Sequence, residues 1–249
     1  LRKQGKAESF PLEIGGVAAE RRNGRGATTN RSGRYEPIAY EPVDDGWESL
    51  GELEALSTEV QEVPARRIIT RNSSPDIGFD RSINPYRGCE HGCIYCFARP
   101  THAFLGLSPG LDFETKLFAK TNSGAALERE LADSAYRPRT IAIGTNTDPY
   151  QPIERRYRIM RRILEVLSAA NHPVGIVTKS TLVLRDLDIL RSMAERGLVK
   201  VALSVTTLDR KLARAMEPRA STPDKRLETV AKLIDAGVPS SVMVAPIIP

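Results

Sequence analysis

The sequence is poor in cysteine and has no long apolar run. No segment approaches the roughly 18 consecutive apolar residues of a membrane span, and the polar start lacks the apolar stretch of a secretory signal. There are only three cysteines, an odd number that cannot all pair within one chain. A secreted disulfide framework is therefore excluded as the expected class. We expect a cytoplasmic protein without a membrane partner.

The first part of the chain is basic and has no apolar periodicity. The net charge of the whole chain is +5, which permits an anionic partner without requiring one. Residues 20–37 are rich in Arg, Gly, Ser, Thr and Asn, a composition that buries too little apolar surface to order a segment. The sequence therefore predicts a flexible basic extension over residues 1–65. It is interpreted either as a solvated leader or as an arginine-rich segment that grips nucleic acid.

Residues 66–249 carry the pattern of an α/β core domain. Short β-branched runs alternate with amphipathic helical stretches, which is typical of βα units with a parallel sheet. One helix is expected over 155–170. Strands are predicted at about 79–84, 140–144, 174–178, 200–205 and 241–246. Because the sequence ends near the fifth of these strands, we expect a TIM-like barrel that is truncated there.

Polar side chains follow the predicted strands. In parallel α/β folds the carboxyl ends of the strands meet at one edge, where active sites are built. Each of these residues also has a structural interpretation, such as an Asp-Pro turn for Asp148 or a helix N-terminus for Glu154. The residues expected at this rim are Asn146, Asp148, Glu154, Lys179, Ser204 and Thr206.

All three cysteines lie on the segment that follows the first predicted strand, as Cys89, Cys93 and Cys96. Their C-x3-C-x2-C spacing would strain a disulfide, so metal is the better interpretation. Structural zinc needs four ligands and would have to recruit His91 or His102. A 4Fe-4S cluster normally takes four thiolates, so three would leave one iron without a protein ligand. Both metal hypotheses remain open at this point.

Three motifs then add a resemblance. "INPYRGCEHGCIYCFARPTH", with Tyr95 just before the last cysteine, "TNTDPYQPIE" and "VTKST" resemble the radical S-adenosylmethionine (radical SAM) superfamily. More narrowly, they resemble its spore photoproduct lyase-like branch. The resemblance implies a partial (β/α)6 barrel, a 4Fe-4S cluster on Cys89, Cys93 and Cys96, and S-adenosylmethionine on the fourth iron. It also implies reductive cleavage to a 5′-deoxyadenosyl radical that abstracts hydrogen from a substrate.

The resemblance further implies roles around S-adenosylmethionine and two kinds of partner. The implied electron donor is of the flavodoxin or ferredoxin type, and nucleic acid is one alternative for the substrate. The residues carried over by the resemblance are Tyr95 beside the adenine, Asp148 with Thr145 and Asn146 at the amino group, Lys179 at the carboxylate and Ser204 at the ribose.

The sequence departs from the lyase pattern in one respect. A hydrogen-donating cysteine would be expected near the end of the second strand, yet no cysteine occurs outside the 89–96 segment. Repair of thymine dimers by that route is therefore not expected. Two further hypotheses stay open beside the enzyme: a non-catalytic metal-binding module, and a nucleic-acid-binding module in which the basic extension carries the function.

Overall fold

The computed structural model describes residues 15–35 and 55–247. These form an α/β structure with one six-stranded and one three-stranded sheet. The strands are β1 (Glu59–Glu62), β2 (Ile69–Arg71), β3 (Arg81–Ile83), β4 (Tyr86–Arg87), β5 (Lys116–Ala119), β6 (Ile141–Ile143), β7 (Val174–Thr178), β8 (Val199–Ser204) and β9 (Ser240–Met243).

Seven α-helices and two short 3₁₀ helices (Arg99–Leu105 and Thr181–Asp186) connect the strands of the described residues. Within those residues, no helix has both the length and the apolar character needed to cross a membrane. The α-helices are α1 (Asp112–Thr115), α2 (Ser123–Leu131), α3 (Glu154–Tyr157), α4 (Ile159–Ala169), α5 (Leu187–Glu195), α6 (Arg210–Met216) and α7 (Pro223–Asp235).

The larger sheet has the order β2-β3-β6-β7-β8-β9. All five strands expected from the sequence are present as β3, β6, β7, β8 and β9, and each pairs in parallel with the next. Only β2, at the edge, runs antiparallel to its neighbour. The carboxyl ends of the five parallel strands therefore point to one side of the sheet.

The core lies between this sheet and the helices. Alternate residues of β7 are buried, including Val174 and Ile176, because successive side chains of a strand point to opposite faces. Met160 on α4 and Met193 on α5 are fully buried in the same core. These methionines fill the core between the helices and the sheet.

The described part of the predicted flexible extension differs from that prediction. Strand β1 pairs with β5, and Arg25 is buried, with its guanidinium donating to the Glu114 carbonyl oxygen and to Thr58. The Arg25 contacts are polar, so no apolar periodicity in the sequence indicates them. The rest of the extension, residues 1–14 and 36–54, lies outside the described residues.

The helix expected over 155–170 is two helices. The chain breaks at Arg158, whose φ of 51° is left-handed. The buried Glu154 carboxylate accepts hydrogen bonds from the backbone N–H groups of Ile159 (2.9 Å) and Met160 (3.1 Å) at the start of α4. It also accepts from Tyr86 and from Arg185. Glu154 thus caps a helix, which is its structural interpretation.

Replacing Glu154 with Ala should destabilise the fold by about 3 to 5 kcal/mol, because it leaves three buried donors without their acceptor and removes one of the two carboxylates that pair with Arg185. Glu165→Ala is the matched control, since Glu165 is half exposed and pairs only at the surface with Arg161. Urea unfolding followed by circular dichroism measures both. Equal midpoints for the two variants would show that Glu154 does not carry this part of the core.

Candidate functional site

The three cysteines lie on a loop that begins after β3 and β4, at the carboxyl edge of the larger sheet. We call residues 88–96 the cysteine loop. Cys89 is buried and its N–H donates to the Phe113 carbonyl oxygen (2.9 Å), whereas Cys93 and Cys96 are partly exposed. Gly88 has a φ of 75°, and a β-carbon there would lie 2.6 Å from the Leu117 side chain. Glycine is therefore required where the loop begins.

Two of the three thiols, those of Cys89 and Cys93, sit in surroundings that disfavour their ionised form. Burial raises the pKa of Cys89 well above its ordinary value and that of Cys93 to about 12, although the Lys179 ammonium acts in the opposite direction on Cys93. Cations on the sulfurs would stabilise the thiolates. The loop turns tightly between two of the cysteines, because the Cys96 N–H donates to the Cys93 carbonyl oxygen (3.3 Å).

The donor set fits an iron–sulfur cluster. Within residues 15–35 and 55–247, no three His, Cys, Asp or Glu side chains converge closely enough to hold a single metal ion. A 4Fe-4S cluster binds its thiolates through different irons, so the sulfurs need not converge on one point. The two histidines of the zinc hypothesis have other neighbours: His91 Nδ1 lies 3.4 Å from Asp148 Oδ2, and His102 Nε2 lies 2.9 Å from the Lys116 carbonyl oxygen.

Two polar side chains hold the cysteine loop in place. Arg99 donates twice to the Cys93 carbonyl oxygen, at 3.0 Å from Nε and 2.9 Å from Nη2. The buried Gln151 donates to the Gly88 carbonyl oxygen (3.1 Å) and accepts from the Glu90 N–H (2.9 Å). The sequence does not predict this role for either residue. Both bind loop backbone, which no local motif reveals.

Asp148 joins three elements at the rim. Its carboxylate accepts hydrogen bonds from the Thr178 hydroxyl (2.7 Å), the Lys179 N–H (2.7 Å) and the Tyr150 N–H (2.9 Å). Burial acts to raise its pKa, yet His91 and these donors lower it to about 2. The carboxylate is therefore ionised at neutral pH. It anchors the loop after β7, which is the loop that carries Lys179.

Lys179 and Tyr95 lie together beside the cysteine loop. The Lys179 Nζ is 5.9 Å from the centre of the Tyr95 ring, a cation–π contact. The Tyr95 hydroxyl donates to the buried carboxylate of Glu217, which also accepts from Thr206 (2.9 Å) and from the buried Arg226. Burial acts to raise the pKa of Glu217, but Arg226 and Tyr95 lower it overall. The sequence predicted Tyr95 and Lys179 and missed Glu217 and Arg226.

The remaining predicted residues, Ser204, Thr145 and Asn146, contact other groups of the protein. Ser204 is buried at the end of β8, and its hydroxyl donates to the Ala245 carbonyl oxygen (3.3 Å). The Asn84 side chain contacts the Thr145 hydroxyl (3.4 Å) and accepts from the Asn146 N–H (3.2 Å). The structure thus brings Tyr95, Lys179 and Asp148 to the cysteines. The roles of all six residues towards S-adenosylmethionine stay predictions.

Curated relatives share a large part of this chain. An uncharacterized protein of Mycobacterium tuberculosis is 45% identical over 171 residues, which cover 69% of this chain and 50% of the relative. An uncharacterized protein of Methanocaldococcus jannaschii is 27% identical over 196 residues, covering 77% of this chain and 68% of the relative. The chain thus spans about half the length of the mycobacterial relative.

A solved structure and a family model also match. Spore photoproduct lyase complexed with dinucleoside spore photoproduct is similar in fold, with a TM-score of 0.55 and 21% identity over 76% of this chain and 52% of that one. The model of the radical SAM superfamily, whose members use a 4Fe-4S cluster and S-adenosylmethionine, matches residues 83–249. This match begins inside β3, includes the whole cysteine loop and extends to the last strand. The chain therefore belongs to the radical SAM superfamily.

Proposed function

We propose that this chain is the cofactor-binding core of a radical SAM enzyme. The observation that carries the proposal is the position of the three cysteines at the carboxyl edge of the parallel strands, with Lys179 and Tyr95 beside them. In this proposal residues 66–249 form a partial barrel, and Cys89, Cys93 and Cys96 hold a 4Fe-4S cluster. A flavodoxin- or ferredoxin-type donor would supply the electron.

When bound, the cluster would supply one electron that cleaves S-adenosylmethionine and yields a 5′-deoxyadenosyl radical, which abstracts hydrogen from the substrate. The residues of the chain bind and orient. Lys179 offers a positive charge to the cofactor carboxylate, and the Tyr95 ring offers a flat apolar surface to the adenine. Glu217 and Arg226 fix the position of Tyr95, while Asp148 fixes the backbone of Lys179.

The structure favours an indirect role for some residues that the resemblance brings to S-adenosylmethionine. The Asp148 oxygens already accept three hydrogen bonds from the protein, so we propose that it acts through Lys179 and not on the cofactor amino group. The Ser204 hydroxyl would have to leave Ala245 to meet the ribose. Thr145 and Asn146 lie on the loop after β6, where Asn84 positions them.

Replacing Lys179 with Met should weaken S-adenosylmethionine binding by roughly 1.5 to 3 kcal/mol, because it keeps the apolar stem and removes a charge-assisted hydrogen bond. Cofactor titration of the anaerobically reconstituted protein measures the change, with the cluster confirmed by its visible absorbance. Lys200→Met is the matched control, because Lys200 is exposed on β8.

Equal affinities for the Lys179 variant and the wild type would remove Lys179 from the cofactor site. A wild type that carries its cluster but binds no S-adenosylmethionine and forms no 5′-deoxyadenosine with dithionite would contradict the enzyme proposal. That result would favour the non-catalytic metal-binding module.

For the substrate, we propose a nucleic acid. Tyr35 and Phe104 stack with ring centres 5.0 Å apart, and both are largely exposed. The Arg34 guanidinium lies 5.1 Å from the Tyr35 ring. Exposed aromatic rings next to arginine are the surface on which proteins stack unpaired bases. The similar fold of spore photoproduct lyase, which was solved with a dinucleoside, supports the same class of substrate.

A labelled single-stranded oligonucleotide should bind this surface with an affinity that falls as salt rises, because binding releases counterions. Phe104→Ala should weaken binding by about 1 to 3 kcal/mol through the loss of stacking. Ile77→Ala, another exposed apolar residue, is the control. Fluorescence anisotropy measures each variant. Salt-independent binding, or an unchanged Phe104 variant, would exclude this surface as a nucleic-acid site.

A further inference from the structure

A buried carboxylate connects the N-terminal segment, residues 15–35, to the cysteine loop. Glu114 is fully buried at the end of the short helix α1. Its Oε2 accepts from the Gly26 N–H (2.8 Å), and its Oε1 accepts from the Ala27 N–H (2.8 Å). The same Oε1 accepts from Arg99 Nη2 at 2.6 Å. One carboxyl group therefore binds both the segment and Arg99, the side chain that holds the cysteine loop.

Arg99 carries this connection to a cysteine. The guanidinium that binds Glu114 also donates to the Cys93 carbonyl oxygen and to the Gly110 carbonyl oxygen (3.1 Å). It lies 5.4 Å from the Phe113 ring, which leaves it little freedom to turn. A displacement of Glu114 or of its partners would therefore also move the backbone of Cys93.

The segment also contacts the loop directly. A β-carbon on Gly26 would lie only 1.9 Å from the Gly92 carbonyl oxygen, so the two backbones touch between Cys89 and Cys93. Arg25, next to Gly26, donates to the Glu114 carbonyl oxygen (2.7 Å) and to Thr58 (2.6 Å). The Thr58 hydroxyl in turn donates to the Glu90 carboxylate at 2.6 Å.

A second set of hydrogen bonds holds the segment at Thr29 and Asn30, on the C-terminal side of Gly26. Asn30 Nδ2 donates to the Asp112 carboxylate (3.0 Å), and Asn30 Oδ1 accepts from the Asp112 N–H (2.9 Å). The Leu111 N–H donates to the Thr29 carbonyl oxygen (3.1 Å). These hydrogen bonds hold the segment on both sides of its contact with Gly92. Moving the segment away from the cysteine loop would break the bonds on at least one of these sides.

We propose that the N-terminal segment helps to retain the 4Fe-4S cluster. In this proposal Glu114 and Gly26 are positioning residues that hold the cysteine loop in place. This inference rests on the proposed function, because the group that the segment would help to retain is the 4Fe-4S cluster. Since docking of the segment and binding of the cluster both require one arrangement of the loop, each should favour the other. A cluster-loaded protein should hold its segment more tightly than the metal-free protein.

Gly26→Ala tests the proposal. The substitution changes no charge, and the new methyl group would overlap the Gly92 carbonyl oxygen, so the segment would have to shift away from the cysteine loop. Gly78→Ala is the matched control, since a β-carbon there meets open space. The reconstituted proteins are mixed anaerobically with an iron chelator, and the loss of cluster absorbance is followed with time. We expect Gly26→Ala to lose its cluster at least about tenfold faster than wild type, and the control to match wild type. Equal rates would overturn the proposal.

Glu114→Gln is a second variant that keeps the shape of the side chain and removes its charge. It should also lose iron faster, and it serves if Gly26→Ala does not fold, as judged by circular dichroism. Trypsin provides an independent measurement: cleavage within residues 15–35 should be slower in cluster-loaded wild type than in metal-free wild type. Equal cleavage rates in the two forms would overturn the coupling.

The experiments distinguish a failure of this proposal from a failure of the proposed function. A wild type that assembles no iron–sulfur cluster would contradict the function itself. A wild type that assembles the cluster, together with a folded Gly26→Ala variant that retains it equally well, would overturn only the role of the segment.

Discussion

Parallel pairing of β3, β6, β7, β8 and β9 is the constraint on which the site depends. Each strand leaves the sheet on the same side, so the loops that follow them meet at one edge. The cysteine loop, the Asp148 loop and Lys179 occur far apart in the sequence. They lie together because the chain returns through a helix before each new parallel strand.

Buried carboxylates then fix the positions of the groups at this edge. Glu217 holds Tyr95, Asp148 holds the backbone of Lys179, and Glu114 holds Arg99, which binds the cysteine loop. A buried carboxylate is costly unless it is paired or accepts several hydrogen bonds, and each of these does so. Such a network keeps one geometry, because displacing any member leaves a charge or a donor unsatisfied. The protein's own hydrogen bonds therefore favour one arrangement of the site.

The sequence predicts the features that depend on neighbouring residues. β-branched runs locate all five parallel strands, and the spacing of Cys89, Cys93 and Cys96 singles out the cysteine loop as the candidate metal-binding segment. It does not predict partners that are distant along the chain: Tyr95 and Glu217 are 122 residues apart, and Gly26 and Glu114 are 88 apart. The docking of residues 15–35 was missed for a related reason. It depends on polar bonds to the buried carboxylates of Glu114 and Asp112 and to nearby backbone groups, whereas composition alone indicates a flexible segment.

We propose that Cys89, Cys93 and Cys96 hold a cluster with one iron open to S-adenosylmethionine. Electron paramagnetic resonance of the anaerobically reconstituted, dithionite-reduced protein tests it most directly, with and without S-adenosylmethionine. We expect the signal of a reduced 4Fe-4S cluster, and we expect it to change when S-adenosylmethionine is added, because the cofactor would bind to the iron that no cysteine holds. A cluster signal that is identical with and without S-adenosylmethionine, or protein that contains stoichiometric zinc and no iron, would contradict it.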